Sequence, residues 1–86
     1  MIVAIDVGNT NLRVGVVRGG DVESGRRAAT RGNKGAERLA VTLDELLKED
    51  GAALSEVDTI VLASVVPEVS AGLSELAADR GIRLVV

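Results

Sequence analysis

The chain has 86 residues, ten basic and thirteen acidic, for a formal net charge of −3. That length makes one modest domain and leaves no room for two. The acidic balance argues against non-specific binding to nucleic acid or a membrane surface, which draws on clustered Lys and Arg. Cysteine and histidine are absent. Their absence removes disulfides, thiolate chemistry and the commonest general base and metal ligand. No stretch approaches the ~18 apolar residues of a membrane span, and Met1–Ile5 lacks the basic region of a secretory signal. A soluble, cytoplasmic domain is expected. Aromatic residues are also missing although 47% of the chain is hydrophobic, so Val, Leu, Ile and Ala must fill any core without the largest single burials. A designed, reconstructed or reduced-alphabet sequence would account for this, as would self-association or a biased natural composition.

Met1–Val7 is an almost continuous apolar, β-branched run and predicts a strand buried on both faces. Gly8-Asn9-Thr10-Asn11 is a turn cluster. Leu12–Arg18 alternates, with Leu12, Val14 and Val16 on one face and Arg13, Gly15 and Val17 on the other, so the two segments predict a hairpin. After a second turn at Gly19-Gly20-Asp21, Val22–Ala29 predicts a weaker strand suited to a sheet edge.

Thr30–Gly35 is a polar loop, and from Ala36 the period becomes helical. Ala36, Leu39, Ala40, Leu43, Leu46 and Leu47 share one face, with Asn33 as the expected N-cap and Gly51 as the stop. Val57–Val66 predicts another strand apolar on both faces. Pro67 suits a first helical position; Val69, Leu73, Leu76 and Ala77 form the next stripe, Gly81 closes it, and Ile82–Val86 predicts a last short strand. The order is β-β-β-α-β-α-β. Hairpins make the first three strands antiparallel and helical crossovers make the last two parallel to the first. The expected architecture is α/β: a mixed five-stranded sheet of order 3-2-1-4-5 covered by two main helices, a single ribonuclease-H-like unit over residues 1–86.

Asp6 stands out as a carboxylate near the carboxyl end of the expected central strand, where desolvation costs several kcal/mol unless compensated. Either it accepts hydrogen bonds from the amides of the Gly8–Thr10 turn, or it stands beside a bound divalent cation or phosphate, since α/β sheets place ligands at such strand ends. In the following turn, Gly8 lets a phosphate approach the backbone and successive amides form an anion nest. Asn9, Thr10 and Asn11 add neutral donors. A carboxylate repels phosphate, so Asp6 would require Mg2+ or its water shell between them. Arg13 could reach a phosphate oxygen or simply be an exposed strand residue. Ser64 could contact substrate from the strand end but reads better as a buried small residue on the way into a helix; Glu68 and Glu75 read as solvated charges, and Arg26-Arg27 as charges guarding an edge strand.

Three stretches together resemble the type III pantothenate kinases: Ile5-Asp6-Val7-Gly8-Asn9-Thr10-Asn11 followed by Val14-Gly15-Val16; Ala63-Ser64-Val65-Val66-Pro67; and Ile82–Val86. The resemblance covers essentially the whole chain and corresponds to the N-terminal half of that family. It implies one ribonuclease-H-like half of the actin-like ATPase fold, in which two halves clamp a nucleotide. It also implies ATP-dependent phosphorylation of pantothenate at the start of coenzyme A synthesis, with Mg2+, a monovalent cation and a dimeric enzyme. By that resemblance Asp6, Gly8, Asn9, Thr10, Asn11 and Arg13 correspond to the first phosphate-binding loop, with Asp6 toward the metal. Ser64–Pro67 is similar to a stretch near the pantothenate pocket and dimer face.

The family's second half is missing: the Gly-x-Asp-Arg segment with the catalytic base, and the second Asp-x-Gly phosphate loop. The tyrosine usual at the start of the first helix is absent too. Phosphoryl transfer needs a positioned acceptor and a clamped γ-phosphate, so no catalytic residue is assigned. The isolated chain is expected to bind Mg-nucleotide or phosphate without turnover. The alternative is a self-associating structural module whose homodimer mimics the two-half fold. A nuclease of ribonuclease-H type would need several carboxylates converging on two metals, and Asp6 is the only strand-end acid.

Overall fold

A computed structural model describes residues 1–86, the side chain of Ser24 excepted. β1 (Ile2–Val7), β2 (Asn11–Arg18) and β3 (Asp21–Ala29) form an antiparallel meander. The β2–β3 turn uses Gly19 and Gly20 at φ 59° and 87°, the doubly positive conformation that a two-residue hairpin turn requires and glycine supplies without strain. There follow α1 (Ala36–Glu49), a 3-10 turn (Leu54–Glu56), β4 (Thr59–Ser64), α2 (Pro67–Arg80) and β5 (Arg83–Val85). The sheet order is β3-β2-β1-β4-β5, with β1, β4 and β5 mutually parallel.

Helix ends follow local chemistry. Gly51 (φ 75°) and Gly81 (φ 66°) end α1 and α2 in left-handed conformations, which satisfy the last carbonyls at little steric cost. Pro67 opens α2 at a position whose N–H has no intrahelical partner anyway. Asn33 is not the N-cap of α1. Gly35 occupies that place without a side-chain cap, and Asn33 is buried instead, with its amide engaged elsewhere.

The connections β3-to-β4 through α1 and β4-to-β5 through α2 step the same way across the sheet. Right-handed crossovers in one direction put both helices on one face, and the burial pattern agrees. Val3, Ile5 and Val7 of β1, with Leu12, Val14 and Val16 of β2, are buried under Leu39, Leu43, Leu47, Val69 and Leu73. Each such side chain contributes about 1.5–3 kcal/mol on burial, and leucines take the place of aromatics. The opposite face carries Ile2, Ala4 and Asp6 from β1 and stays open, with Ile2 40% and Val61 43% exposed. The expectation that β1 and β4 are buried on both faces is therefore corrected: two helices on one side cover one face only.

Inside α2, Gly72 is buried, and a Cβ built there would meet the Lys34 carbonyl oxygen and Leu39 Cδ1. α2 and the loop before α1 approach closely because position 72 has no side chain.

Candidate functional site: the β1–β2 loop and its arginine row

The turn after β1 is closed by Gly8 N–H donating to the Asn11 carbonyl at 2.8 Å. Thr30, just past β3, holds it from behind: its N–H donates to the Thr10 carbonyl at 2.9 Å and its hydroxyl to the Gly8 carbonyl at 2.7 Å. Among the described residues the amides of Asn9 and Thr10 have no acceptor. Asn9, Thr10 and Asn11 are exposed, and the hydrogen bonds from Thr30 tie down the backbone that carries these donors. That arrangement suits an anion.

Gly8 does not use a positive φ. A Cβ at this position would stand 3.4 Å from the Asn11 carbonyl oxygen, an ordinary contact. Neither backbone strain nor packing within the chain therefore requires glycine here. What its missing side chain leaves is room for a ligand to approach the backbone.

Asp6 is exposed on the open face and accepts no hydrogen bond among the described residues. This corrects two expectations: the carboxylate is not desolvated, and it does not accept from the Gly8–Thr10 amides. Lying on the uncovered face, it has no burial penalty to compensate. It does lie beside a cleft. Asp6 is the register partner of Arg13 on β2, and Arg13 is the partner of Arg27 on β3, so the three form one row across the sheet. Asp6, Arg13 and Arg27, with Gly8 and Asn11, line a concavity of about 320 Å3.

Arg27 is the residue that sequence reasoning missed. The β2–β3 register shifts between Val14 and Val16, where β3 uses one residue more than β2. Beyond such a bulge the strand's faces are exchanged. Arg27 therefore joins Arg13 on the open face, while Arg26, opposite Val14, reaches Asp50 at the end of α1 through Nη2 at 2.8 Å and Nε at 3.0 Å. Asp50 raises the Arg26 guanidinium above its already high pKa through that hydrogen bond and its charge. Arg26 is a strand-to-helix tie and Arg27 a groove residue; neither simply guards an edge.

Behind Thr30 the loop is buttressed by a buried polar chain. Thr42 of α1 donates to Asn33 Oδ1, and Asn33 Nδ2 donates to the Ala29 carbonyl at 2.6 Å. No buried side-chain polar atom among the described residues lacks a partner. The polar run Thr30–Gly35 was the only trace of this support in the sequence. Ser64 ends β4 beside Val7, and its Oγ bonds both the N–H and the carbonyl of Val66 at 3.1 Å. It shapes the entry to α2.

A larger concavity, about 590 Å3, lies away from the loop between α1, the 3-10 turn and Arg80. Its Asp44 and Lys48 pair with each other, whereas the loop has free amides and, beside it, charges without an ion-pair partner among the described residues. No group of three or more potential metal-ligating side chains occurs among the described residues. Asp6 fits Mg2+ in a narrower sense, because that ion is commonly held by one carboxylate together with phosphate oxygens and water.

The model of the type III pantothenate kinase family matches residues 2–86. The chain belongs to that family. It is 38% identical over 76 residues to the type III pantothenate kinase of Moorella thermoacetica, an alignment covering 88% of this chain and 30% of the relative. The enzyme of Sphingopyxis alaskensis is 36% identical over 77 residues, covering 90% of this chain and 30% of the relative. The chain thus spans about 30% of the length of these relatives. Among solved structures, YeaZ from Pseudomonas aeruginosa superposes with a TM-score of 0.62 at 22% identity, over 98% of this chain and 41% of that one. The Lmo2764 protein of Listeria monocytogenes gives 0.58 at 22%, over 96% and 33%. These likenesses concern the fold, an α/β unit of the actin-like kind. No helix among the described residues is long and apolar enough to cross a membrane.

Proposed function

We propose that this chain is one ribonuclease-H-like half of a pantothenate-kinase-type protein, a single domain over residues 1–86 that carries the first phosphate-binding loop for Mg-ATP. The observation that carries this reading is the turn at Gly8–Asn11. It combines a backbone tied down by Thr30, two amides without acceptors among the described residues, and a glycine that the chain's own packing does not require.

Asp6 would hold Mg2+, which neutralises phosphate charge and bridges phosphate oxygens when bound. Asn9, Thr10 and Asn11 donate hydrogen bonds to phosphoryl oxygens, and Arg13 adds a guanidinium. This reading assigns no described residue the task of taking a proton from an acceptor hydroxyl. Phosphorylation of pantothenate, with a monovalent cation and a dimeric assembly, belongs in this reading to the whole family protein, and the chain alone binds without turnover. A cytoplasmic location is part of the same reading. Calorimetric titration with Mg-ATP tests it: binding by the parent that Asp6→Asn weakens severalfold supports it, and identical isotherms end it.

A second reading, a self-associating module, is favoured by the open sheet face. Ile2, Val22, Val61 and Val85 are 38–59% exposed there. With principal extents of 30 × 25 × 21 Å, a second copy stacked on that face would cover an area of the order of the ~800 Å2 per partner found in stable interfaces. Light scattering after size exclusion separates the two readings. A dimer that Val61→Lys dissolves supports self-association, and a strict monomer at high concentration rules it out.

A further inference from the structure

We propose that Arg27 and Arg13 form a two-guanidinium clamp for a diphosphate unit, so that the groove beside the β1–β2 loop discriminates a diphosphate from a single phosphate. The proposal rests on the phosphate-site reading above and adds to it a residue outside the loop and a preference for ligand class.

Arg13 and Arg27 are direct register partners in the β2–β3 ladder. Like charges directly opposite one another destabilise an antiparallel pair, so a bare sheet gains nothing from this arrangement. Arg18, Arg26, Lys34, Lys48 and the N-terminal ammonium each meet a carboxylate, whereas among the described residues Arg31, Arg38, Arg80 and Arg83 form no ion pair and lie outside the row of Asp6, Arg13 and Arg27. Among the described residues Arg13 and Arg27 meet none, although Asp6 is in register with Arg13. Both line the concavity of about 320 Å3 that also holds Asp6, Gly8 and Asn11.

The Arg13 stem lies across Gly25, where an added Cβ would come within 2.8 Å of its Cδ. A glycine in β3 thus gives the Arg13 side chain its seat. The loop amides and the arginine row are two donor sets at neighbouring places on one surface. One phosphoryl group can occupy the amides while the next is held by planar guanidinium forks, which match phosphate oxygens two at a time. A lone phosphate engages only one set.

The probes are pyrophosphate and inorganic phosphate without metal, titrated calorimetrically into the parent, Arg27→Gln, Arg27→Lys and Asp6→Asn, with circular dichroism confirming the fold of each. The parent should bind pyrophosphate more tightly than phosphate. Arg27→Gln should lose about tenfold for pyrophosphate, the size of one charge-assisted hydrogen bond, with phosphate nearly unchanged. Arg27→Lys should fall between, since it keeps the charge and loses the fork. Asp6→Asn should strengthen metal-free pyrophosphate binding by removing a repulsive charge, while weakening Mg-ATP. Equal affinity of the parent for the two anions, or full pyrophosphate affinity in Arg27→Gln, overturns the clamp. An Asp6→Asn protein that binds Mg-ATP like the parent overturns the metal-bridged reading and leaves the Arg27 comparison still decisive.

Discussion

Thr30 and Gly8, twenty-two positions apart, are joined by a 2.7 Å hydrogen bond from the threonine hydroxyl to the glycine carbonyl. Thr30 is 2% exposed, so the end of β3 anchors the candidate phosphate loop from the protein interior. Replacing the hydroxyl by a methyl leaves that carbonyl short of a donor. Thr30→Val should cost about 1–2 kcal/mol of stability. Amide exchange at residues 8–11 should quicken more than in the core strands. Unchanged exchange there would show that the loop is held by its own turn.

At Gly8 the expectations for stability and binding diverge. Since an added Cβ makes an ordinary 3.4 Å contact and φ is not positive, Gly8→Ala should alter stability by no more than about 0.5 kcal/mol, as for a substitution without a named structural defect. Mg-ATP affinity should drop by about tenfold or more, the effect of lengthening or losing a hydrogen bond to a charged group. Thermal melting and titration on the same sample check both halves.

For Gly72 two effects of opposite sign compete. Alanine in a helix interior is favoured over glycine by about 1 kcal/mol. A Cβ at position 72, however, would overlap the Lys34 backbone carbonyl and Leu39, and overpacking against backbone costs about 1–3 kcal/mol. The clash should win. Gly72→Ala should lower the urea midpoint, whereas alanine at a solvent-facing position of α2 such as Ser74 should not.

Acid should weaken the fold through Asp44. The Leu54 N–H, which donates to Asp44 Oδ1 at 2.9 Å, lowers the carboxyl's pKa most, and Lys48 at 3.0 Å adds to it. A carboxyl whose folded pKa lies below its unfolded value contributes stability above roughly pH 4, and that contribution is lost as pH falls through the folded pKa. Asp44→Asn retains an oxygen for Leu54 but cannot titrate. Its stability should therefore fall less steeply than the parent's below about pH 4 in denaturant titrations at several pH values.

Much of the fold was legible because it rests on local chemistry. The helical stripe from Ala36, the stops at Gly51 and Gly81, Pro67 at a helix start and the Gly19-Gly20 turn each express a backbone preference or a period that short windows contain. The Asp6–Asn11 loop was legible for the same reason, as a glycine-bearing turn at the end of an apolar strand. Asn33 misled because a short polar residue before a helix is a cap by default. Only its burial against Thr42 and Ala29 reveals the bridge it makes instead.

By itself, then, the sequence determined which segments are strands and helices, where they stop, and which turn offers amides to an anion; these depend on neighbours a few residues apart. Tertiary structure alone decided that both helices share one face, because crossover handedness acts on the whole sheet, and hence that Asp6 is exposed. It also decided which arginine joins the site. Counted back from the Gly19-Gly20 turn without interruption, Arg13 would face Arg26. The one-residue bulge opposite Gly15 substitutes Arg27, because a single-residue slip in an alternating strand exchanges its faces.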